Sequence, residues 1–414
     1  MTVAQRSVLL IGPRPELLAK ARALGLRTVA VHFPSHFTSR HAEHTDLALL
    51  GNYPDWAVLR PLAGAAAEVA DIIGVLSNVE PGLEPAARCA LLLGLRGNDI
   101  GATALLRDKQ AMRVRLDECG FATVPWGPLT DAAALAAFGT EHGYPLIVKP
   151  VDGLASLGVN RLDGPGDIAK VLATVAQLRK DNDHRYAEFF PLRRFLVERY
   201  IHGPEFSVEA FSFDGRHLVI AVTEKLLLPY SFVEVGHALP ARLAGPAEDA
   251  VVAEVTGFLD AVGIRHGATH TEVRVQDGRP HVIESHTRTG GDRIVDLVHA
   301  AYGVDLESWA IGWAADISEP IWDRPPAHAA AATRFLTPSS GQITEIRGID
   351  TARRRPGVVQ VALDLDVGAF VPPLRASWDR VGQVIATDVD TASAVGRCSA
   401  AVADIEVMTG NELR

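Results

Sequence analysis

The sequence predicts an α/β protein: an open parallel α/β domain over residues 1–103, mixed helices and hairpins over 104–322, and a β-rich domain over 323–414. Three observations carry that expectation. Short apolar runs alternate with helical stretches in the first hundred residues. Strands joined through Asp-Gly pairs follow in the middle, and strand-like segments with one late helix fill the last ninety residues.

In the first part the strands are VLLIG (8–12), TVAVHF (28–33), LALLG (47–51) and IIGVLSN (72–78), with ELLAKARAL and LRPLAGAAAEVAD as helices between them. Continuous apolar strands separated by helices imply a parallel sheet covered on both faces. Ligands of such sheets bind beyond the carboxyl ends of the strands, where Ser77, Asn78 and Glu80 fall. Pro81 suits a helix start, so Glu80 is open to two readings, a site residue or an acid at the positive end of that helix.

Next, ATALLRDKQAMRVRLDECGFATVPW reads as one helix stopped by Gly120, and DAAALAAFGTEHG as a second helix leading to the strand YPLIVKPVDG. DGLASLGVNRL is then a small-residue loop between two strands. No helix follows its glycines and no G-x-x-x-x-G-K-[ST] occurs, which argues against a P-loop or dinucleotide fingerprint and leaves any phosphates to a flap. A helix (DIAKVLATVAQLRK) precedes a hairpin across Asp214-Gly215. The amphipathic helix EDAVVAEVTGFLDAVGI ends at Gly263 and leads into a second hairpin, HTEVRVQDGRPHVIESHTR. The prolines of IWDRPPAHAAAA mark a linker into the tail, where TASAVGRCSAAVADI is the late helix.

Apolar residues make up 48% of the 414 and charged ones 22%, which excludes disordered and collagen-like classes. No run reaches the ~18 apolar residues of a membrane span, and MTVAQRSVLLIGPRPE is broken by Gly12 and Pro13 without a leader pattern. Cys89, Cys119 and Cys398 have neither metal-ligand spacing nor a disulfide framework, so the cytoplasm is the expected compartment. A net charge of −10 argues against general nucleic-acid binding. The Arg353 to Arg355 cluster before Pro356-Gly357 reads as a solvated turn.

Chemistry is carried first by the second hairpin. A turn centred on Gly278 with an odd number of loop residues makes Glu272 and Glu284 direct cross-strand partners, about 4.5–5.5 Å apart at Cβ. Facing carboxylates either hold a hard divalent ion or splay into water. The strand period puts His286 and Arg288 on the same face. In LVERYIHGPEFSVE an apolar strand enters Glu198, bends at Gly203-Pro204 and restarts beyond Glu205. That is either a hinge whose unpaired backbone reads a purine edge, with Glu205 on ribose hydroxyls, or an ordinary turn with acidic flanks. Lys149 ends an apolar strand at a Gly and Ser loop, where burial is costly unless it meets an anion. Lys109, on a helix with Arg107, Arg113 and Arg115, is open to either a solvated or a functional reading.

The order RDKQAMR, YPLIVKPVDGLASLGV, LVERYIHGPEFSVE and HTEVRV…VIESHTRTGG resembles the ATP-grasp superfamily of carboxylate–amine ligases over about 104–315. The tail, with RFLTPSSGQITEI and PLRASWDRVGQVIATDVDTASAV, is similar to the closing domain of the branch containing L-amino acid ligases and biotin carboxylase. The resemblance implies an ATP-grasp fold, with a small lobe over 104–198 and a large lobe over 199–322. It implies ATP with Mg²⁺, Mn²⁺ being the alternative ion. Lys109 and Lys149 would meet the phosphates under a flap from Gly153 through Ser156 to Gly158. Glu198 would accept from the adenine amino group, Tyr200 and Ile201 would add backbone contacts, and Glu205 would hold the ribose. Glu272 and Glu284 would bind the metal, with His286 at the second-ion position, where the family commonly has Asn. Arg288, catalytic together with Lys149, would hold the transferred phosphoryl group. Glu80, Gly291, and Glu234 and His237 in a loop before the 246–262 helix would contact substrate.

Two departures from the family pattern stand out, Leu154 and Leu157 in the flap and the imidazole of His286. The implied activity joins a carboxylate, expected to be an amino acid, to an amine, as in secondary metabolism. Neither nucleic acid nor membrane is expected as a partner, and a homodimer, common among the relatives implied, is the expected assembly. The alternatives are a biotin-carboxylase-like or purine-pathway enzyme and a catalytically silent ATP-binding module.

Overall fold

The computed structural model describes residues 6–181, 192–228, 232–243 and 245–410. Residues 1–5, part of a stretch read above, lie outside them. Strands β1 (Arg6–Ile11), β2 (Arg27–His32), β3 (Leu47–Leu50) and β4 (Asp71–Leu76) form a parallel sheet in the order β3-β2-β1-β4. Its apolar runs are buried between helices such as Pro15–Ala23 and Trp56–Val69. The sheet leans on helix Leu306–Ala314 so closely that a Cβ at Gly74 would stand 2.7 Å from Ala314 O.

The stretch expected as one helix over 102–119 is two, Ile100–Arg107 and Lys109–Glu118. Asp108 breaks it: with φ −114° and ψ 96°, its carboxylate accepts from Ala111 N as an N-cap, a conformation an aspartate favours over the helix interior. The break turns the second helix so that Met112 and Leu116 enter one core with Val208 and Phe258.

Strands β5 (Trp126–Pro128), β6 (Leu146–Pro150), β7 (Asn160–Leu162) and β8 (Phe195–Arg199) pair antiparallel in the order β5-β8-β6-β7. Helices Ala132–His142 and Ile168–Asp181 accompany them. The stretch expected as a flap is the β6–β7 connection.

Next come β9 (Glu205–Phe213), β10 (Arg216–Leu227), β11 (Glu234–Leu239), β12 (Gly267–Gln276) and β13 (Arg279–His286). The tail adds β14 (Ala330–Leu336), β15 (Gly341–Arg347), β16 (Val358–Leu363), β17 (Phe370–Val371), β18 (Gly382–Asp388) and β19 (Glu406–Gly410). An eight-stranded sheet runs β13-β12-β9-β10-β11-β14-β18-β16, so its ladder continues unbroken from the glutamate hairpin into the tail. Helix Gly245–Val262 covers one face, and Ile294–Tyr302 with Leu306–Ala314 the other.

Two register details differ from expectation. The second hairpin turns on two residues, Asp277 and Gly278 (φ 52° and 77°), the left-handed pair that matches strand twist. A skipped residue at Ile283 then restores the pairing, so Glu272 faces Glu284 by way of a bulge rather than an odd loop. Residues 234–239, expected as a loop, are strand β11 between β10 and β14. Glu234 and His237, three apart, would point to opposite faces of a regular strand; the ladder skips Val235, and both line one chamber.

Candidate active site

Two cavities meet at the glutamate hairpin. A cleft between the β5–β8 sheet and the eight-stranded sheet is lined by Lys109, Lys149, Gly153, Ser156, Glu198, Tyr200, Ile201 and Glu205. A wider, open chamber is lined by Glu80, Glu234, His237, His286, Arg288 and Gly291. Glu272 and Glu284 belong to both walls. Ala155 and Gly158 of the expected flap are not part of the cleft wall; at Gly158 a φ of +75°, and an added Cβ that would stand 3.0 Å from Pro150 Cγ, mark a turn position.

Ion pairs organise the cleft. Glu198 is 3% exposed and receives Arg113 Nε at 2.8 Å and Lys149 Nζ at 2.6 Å. Burial opposes its charge, but the two cations outweigh it and hold the carboxyl down at about 2. Two cations share that one acid, so burial and the neighbouring Arg113 and Lys109 leave the Lys149 ammonium below the usual lysine value. Lys109 reaches Glu284 at 2.7 Å and Gly153 O at 2.9 Å; burial works against it, yet Glu284 raises its pKa. Lys225 lies among Glu272 (2.5 Å), Glu205 (3.0 Å) and Glu234 (3.3 Å). Arg274 takes the other Glu205 oxygen at 2.9 Å and also holds Tyr200 Oη and Ile201 O.

The hinge backbone read as unpaired is therefore largely paired. Tyr200 N donates to Pro145 O, His202 N to the Gln276 side chain, and Ile201 O is held by Arg274. Strand β6 and the end of β12 lie close enough to satisfy it, as burial demands.

Around the hairpin, each glutamate has an imidazole beside it. His270 Nε2 lies 3.6 Å from Glu272 and His286 Nε2 3.6 Å from Glu284, while their Nδ1 atoms face Glu209 at 2.9 Å and Glu80 at 3.0 Å. Among the described residues no three His, Cys, Asp or Glu side chains converge as a ready metal cage. The donor set nevertheless fits a hard divalent ion completed by substrate oxygens. Burial and mutual repulsion act against two facing carboxylates, but Lys225 and Lys109 keep Glu272 at about 2 and Glu284 well below the usual range, so both stay ionised. His286 faces Glu80 and Glu284, and its pKa is raised against burial chiefly by Glu80.

In the chamber Arg288 Nε donates to Glu80 at 2.9 Å; Glu80 is 6% exposed and opens the 3₁₀ turn Glu80–Gly82 ahead of helix Leu83–Leu93, so it is a buried acid at a helix start. Asp292 accepts from both terminal nitrogens of Arg380 and pairs with His237 Nε2 at 3.1 Å. The Ser156 hydroxyl donates to Phe232 O at 2.9 Å. Sequence reasoning missed Arg113, Lys225, Arg274, His270 and Arg380. Only the cost of burying Glu198, Glu205 and Glu272 without cations could have pointed to them.

Residues 142–296 match the family model of the ATP-grasp domain, and residues 334–410 that of the L-amino acid ligase C-terminal domain 2. Alanine–anticapsin ligase of Bacillus subtilis (strain 168) is 26% identical over 284 residues, 64% of this chain and 60% of the relative. The L-arginine-specific L-amino acid ligase of Bacillus subtilis is 21% identical over 355 residues, 82% of this chain and 80% of the relative. The crystal structure of L-amino acid ligase from Bacillus licheniformis shares the fold at a TM-score of 0.82 and 22% identity, over 99% of this chain and 100% of that one. The chain spans about 60% of the length of the alanine–anticapsin ligases it matches. The chain thus carries a segment that matches the ATP-grasp domain, followed by one that matches the L-amino acid ligase C-terminal domain 2, on a fold shared with that ligase structure.

Proposed function

We propose that this chain is an ATP-dependent carboxylate–amine ligase that activates an amino acid as an acyl phosphate and passes it to the amine of a second one, releasing ADP and phosphate. The observation that carries the reading is the meeting of a cation-lined cleft and a mixed-charge chamber at two ionised glutamates. The ligases named above support amino acids as substrates.

ATP would lie along the cleft, its purine toward Glu198, Tyr200 and Ile201, its ribose toward Glu205 and its phosphates toward Lys109 and Lys149. Glu272 and Glu284 would hold the divalent ion, Mg²⁺ or Mn²⁺, which when bound neutralises charge on the phosphates. Lys109 and Lys149 line the cleft for the phosphates, while Lys225 holds Glu272 from the chamber side. The substrate carboxylate attacks the γ-phosphorus, a step that needs alignment and charge neutralisation rather than a protein nucleophile. Arg288, fixed by Glu80, holds the phosphoryl group and then the oxyanion formed when the amine attacks the acyl carbon. Glu80 and Glu234 suit an ammonium, and Gly291 lends its backbone at the chamber wall. The flap excludes the water that would hydrolyse the acyl phosphate. This chemistry belongs in the cytoplasm, where ATP is supplied.

The test is ADP release with ATP, Mg²⁺ or Mn²⁺ and pools of amino acids, with products read by mass spectrometry. ADP release stimulated by an amino-acid pair, with a dipeptide mass, is the expected result. ATP binding without stimulation by any acceptor would leave an ATP-binding module, and stimulation by bicarbonate alone would point to a carboxylase.

A further inference from the structure

We propose that Ser377, a residue of the tail, is a positioning residue that latches the flap over the nucleotide cleft and ties its closure to Glu234 in the chamber; the proposal rests on the ATP reading above. The flap carries Ala155 and Ser156 at φ 51° and 61°, two consecutive left-handed residues that are not glycine. A chain does not hold that shape unaided, because each Cβ crowds the following carbonyl. Two bonds from outside hold it: Ser377 N donates to Ala155 O at 3.2 Å, and Phe232 O accepts from Ser156 Oγ at 2.9 Å. Leu154 lines both cavities, so this flap is their common roof.

Ser377 is 5% exposed, and its hydroxyl donates to Glu234 Oε2. The other oxygen of Glu234 meets Lys225 at 3.3 Å, and Lys225 reaches Glu205 and Glu272. One path of direct contacts thus runs from the flap backbone through Ser377 and Glu234 to the carboxylates at the ribose and ion ends. The latch has a rigid seat. Asp379 accepts from the backbone of Arg375 and Ala376 at 2.8 Å, and Arg380 grips Asp292 with two bonds at 2.8 and 2.5 Å.

The two contacts of Ser377 can be separated. Ser377→Ala removes only the hydroxyl. Ser377→Pro removes the N–H as well, at the first residue of a short 3₁₀ turn preceded by an extended Ala376 (φ −145°, ψ 165°), where proline fits. Release of a fluorescent ATP analogue with Mg²⁺ should stay within about twofold of wild type in the alanine variant and quicken about tenfold in the proline variant, the loss of one hydrogen bond. The alanine variant should instead raise the KM of the amino acid held at Glu234 several-fold, with kcat nearly kept. Equal release from both variants would overturn the latch. Hydrogen exchange on the wild type gives a second reading without mutation: the analogue should protect the Ser377 amide together with the flap amides, and unchanged exchange at Ser377 would also overturn it. Release and exchange need no acceptor, so a protein that binds ATP without ligating still reports the latch. A wild type that binds no nucleotide overturns the ATP reading and the latch with it.

Discussion

Arg113 is 1% exposed and donates to Glu198 and to Val282 O, at 2.8 and 2.9 Å. Replacing it with methionine leaves a buried carboxylate with one cation and takes a donor from Val282 O. Removing one partner of a buried pair costs about 3–5 kcal/mol, so Arg113→Met should lower unfolding free energy by that order in guanidinium denaturation and weaken ATP binding. Arg288→Ala is expected to behave differently. Its guanidinium is part-exposed in the chamber and absent from the cleft wall, so turnover should fall about a hundred- to a thousandfold, roughly the value of a lost transition-state donor, while calorimetry shows ATP affinity nearly kept. The two arginines also mark what was legible. Arg288 could be read because strand period two sets it on the face of Glu284 and His286. Arg113 could not, because its partner lies 85 residues away.

At the scale of elements, the hydrophobic pattern located most strands and helices, and backbone detail escaped it. Bulges at Ile283 and Val235 decide which side chains face the site, and a bulge leaves no mark in an apolar pattern. Asp108 looked like a helix residue until its cap geometry was known. On helix Gly245–Val262, burial alone pushes the Glu254 carboxyl from 4.5 up to about 7. Between those values the native protein keeps a proton that the unfolded chain has lost, so stability falls as pH rises through that window. Glu254→Gln removes this loss. After allowance for partial exposure it should be about 1–2 kcal/mol more stable than wild type at pH 8 and equal to it at pH 4, read from denaturation curves.

Across the whole molecule, the first sheet is held to the rest through Glu307. Its side chain is 4% exposed and receives Arg14 at 2.7 Å, Lys20 at 3.0 Å and Asn78 Nδ2 at 3.1 Å. Glu307→Ala leaves Asn78 Nδ2 without its acceptor and takes the carboxylate from part-exposed Arg14 and Lys20, the latter keeping Asp305, so about 1–2 kcal/mol of docking should be lost. A separate early transition of the first sheet in urea, resolved by hydrogen exchange, is the expected sign; a single unshifted transition would contradict it. By itself the sequence determined the parallel opening domain, the two hairpins and the order of the acids and cations along the chain, because apolar period, turn chemistry and motif spacing are local properties. Only the tertiary structure decided which cation meets which acid, that the tail extends the large sheet, and that a tail serine touches the flap. Those contacts join residues up to more than two hundred positions apart, and their energy exists only once the pair is buried together.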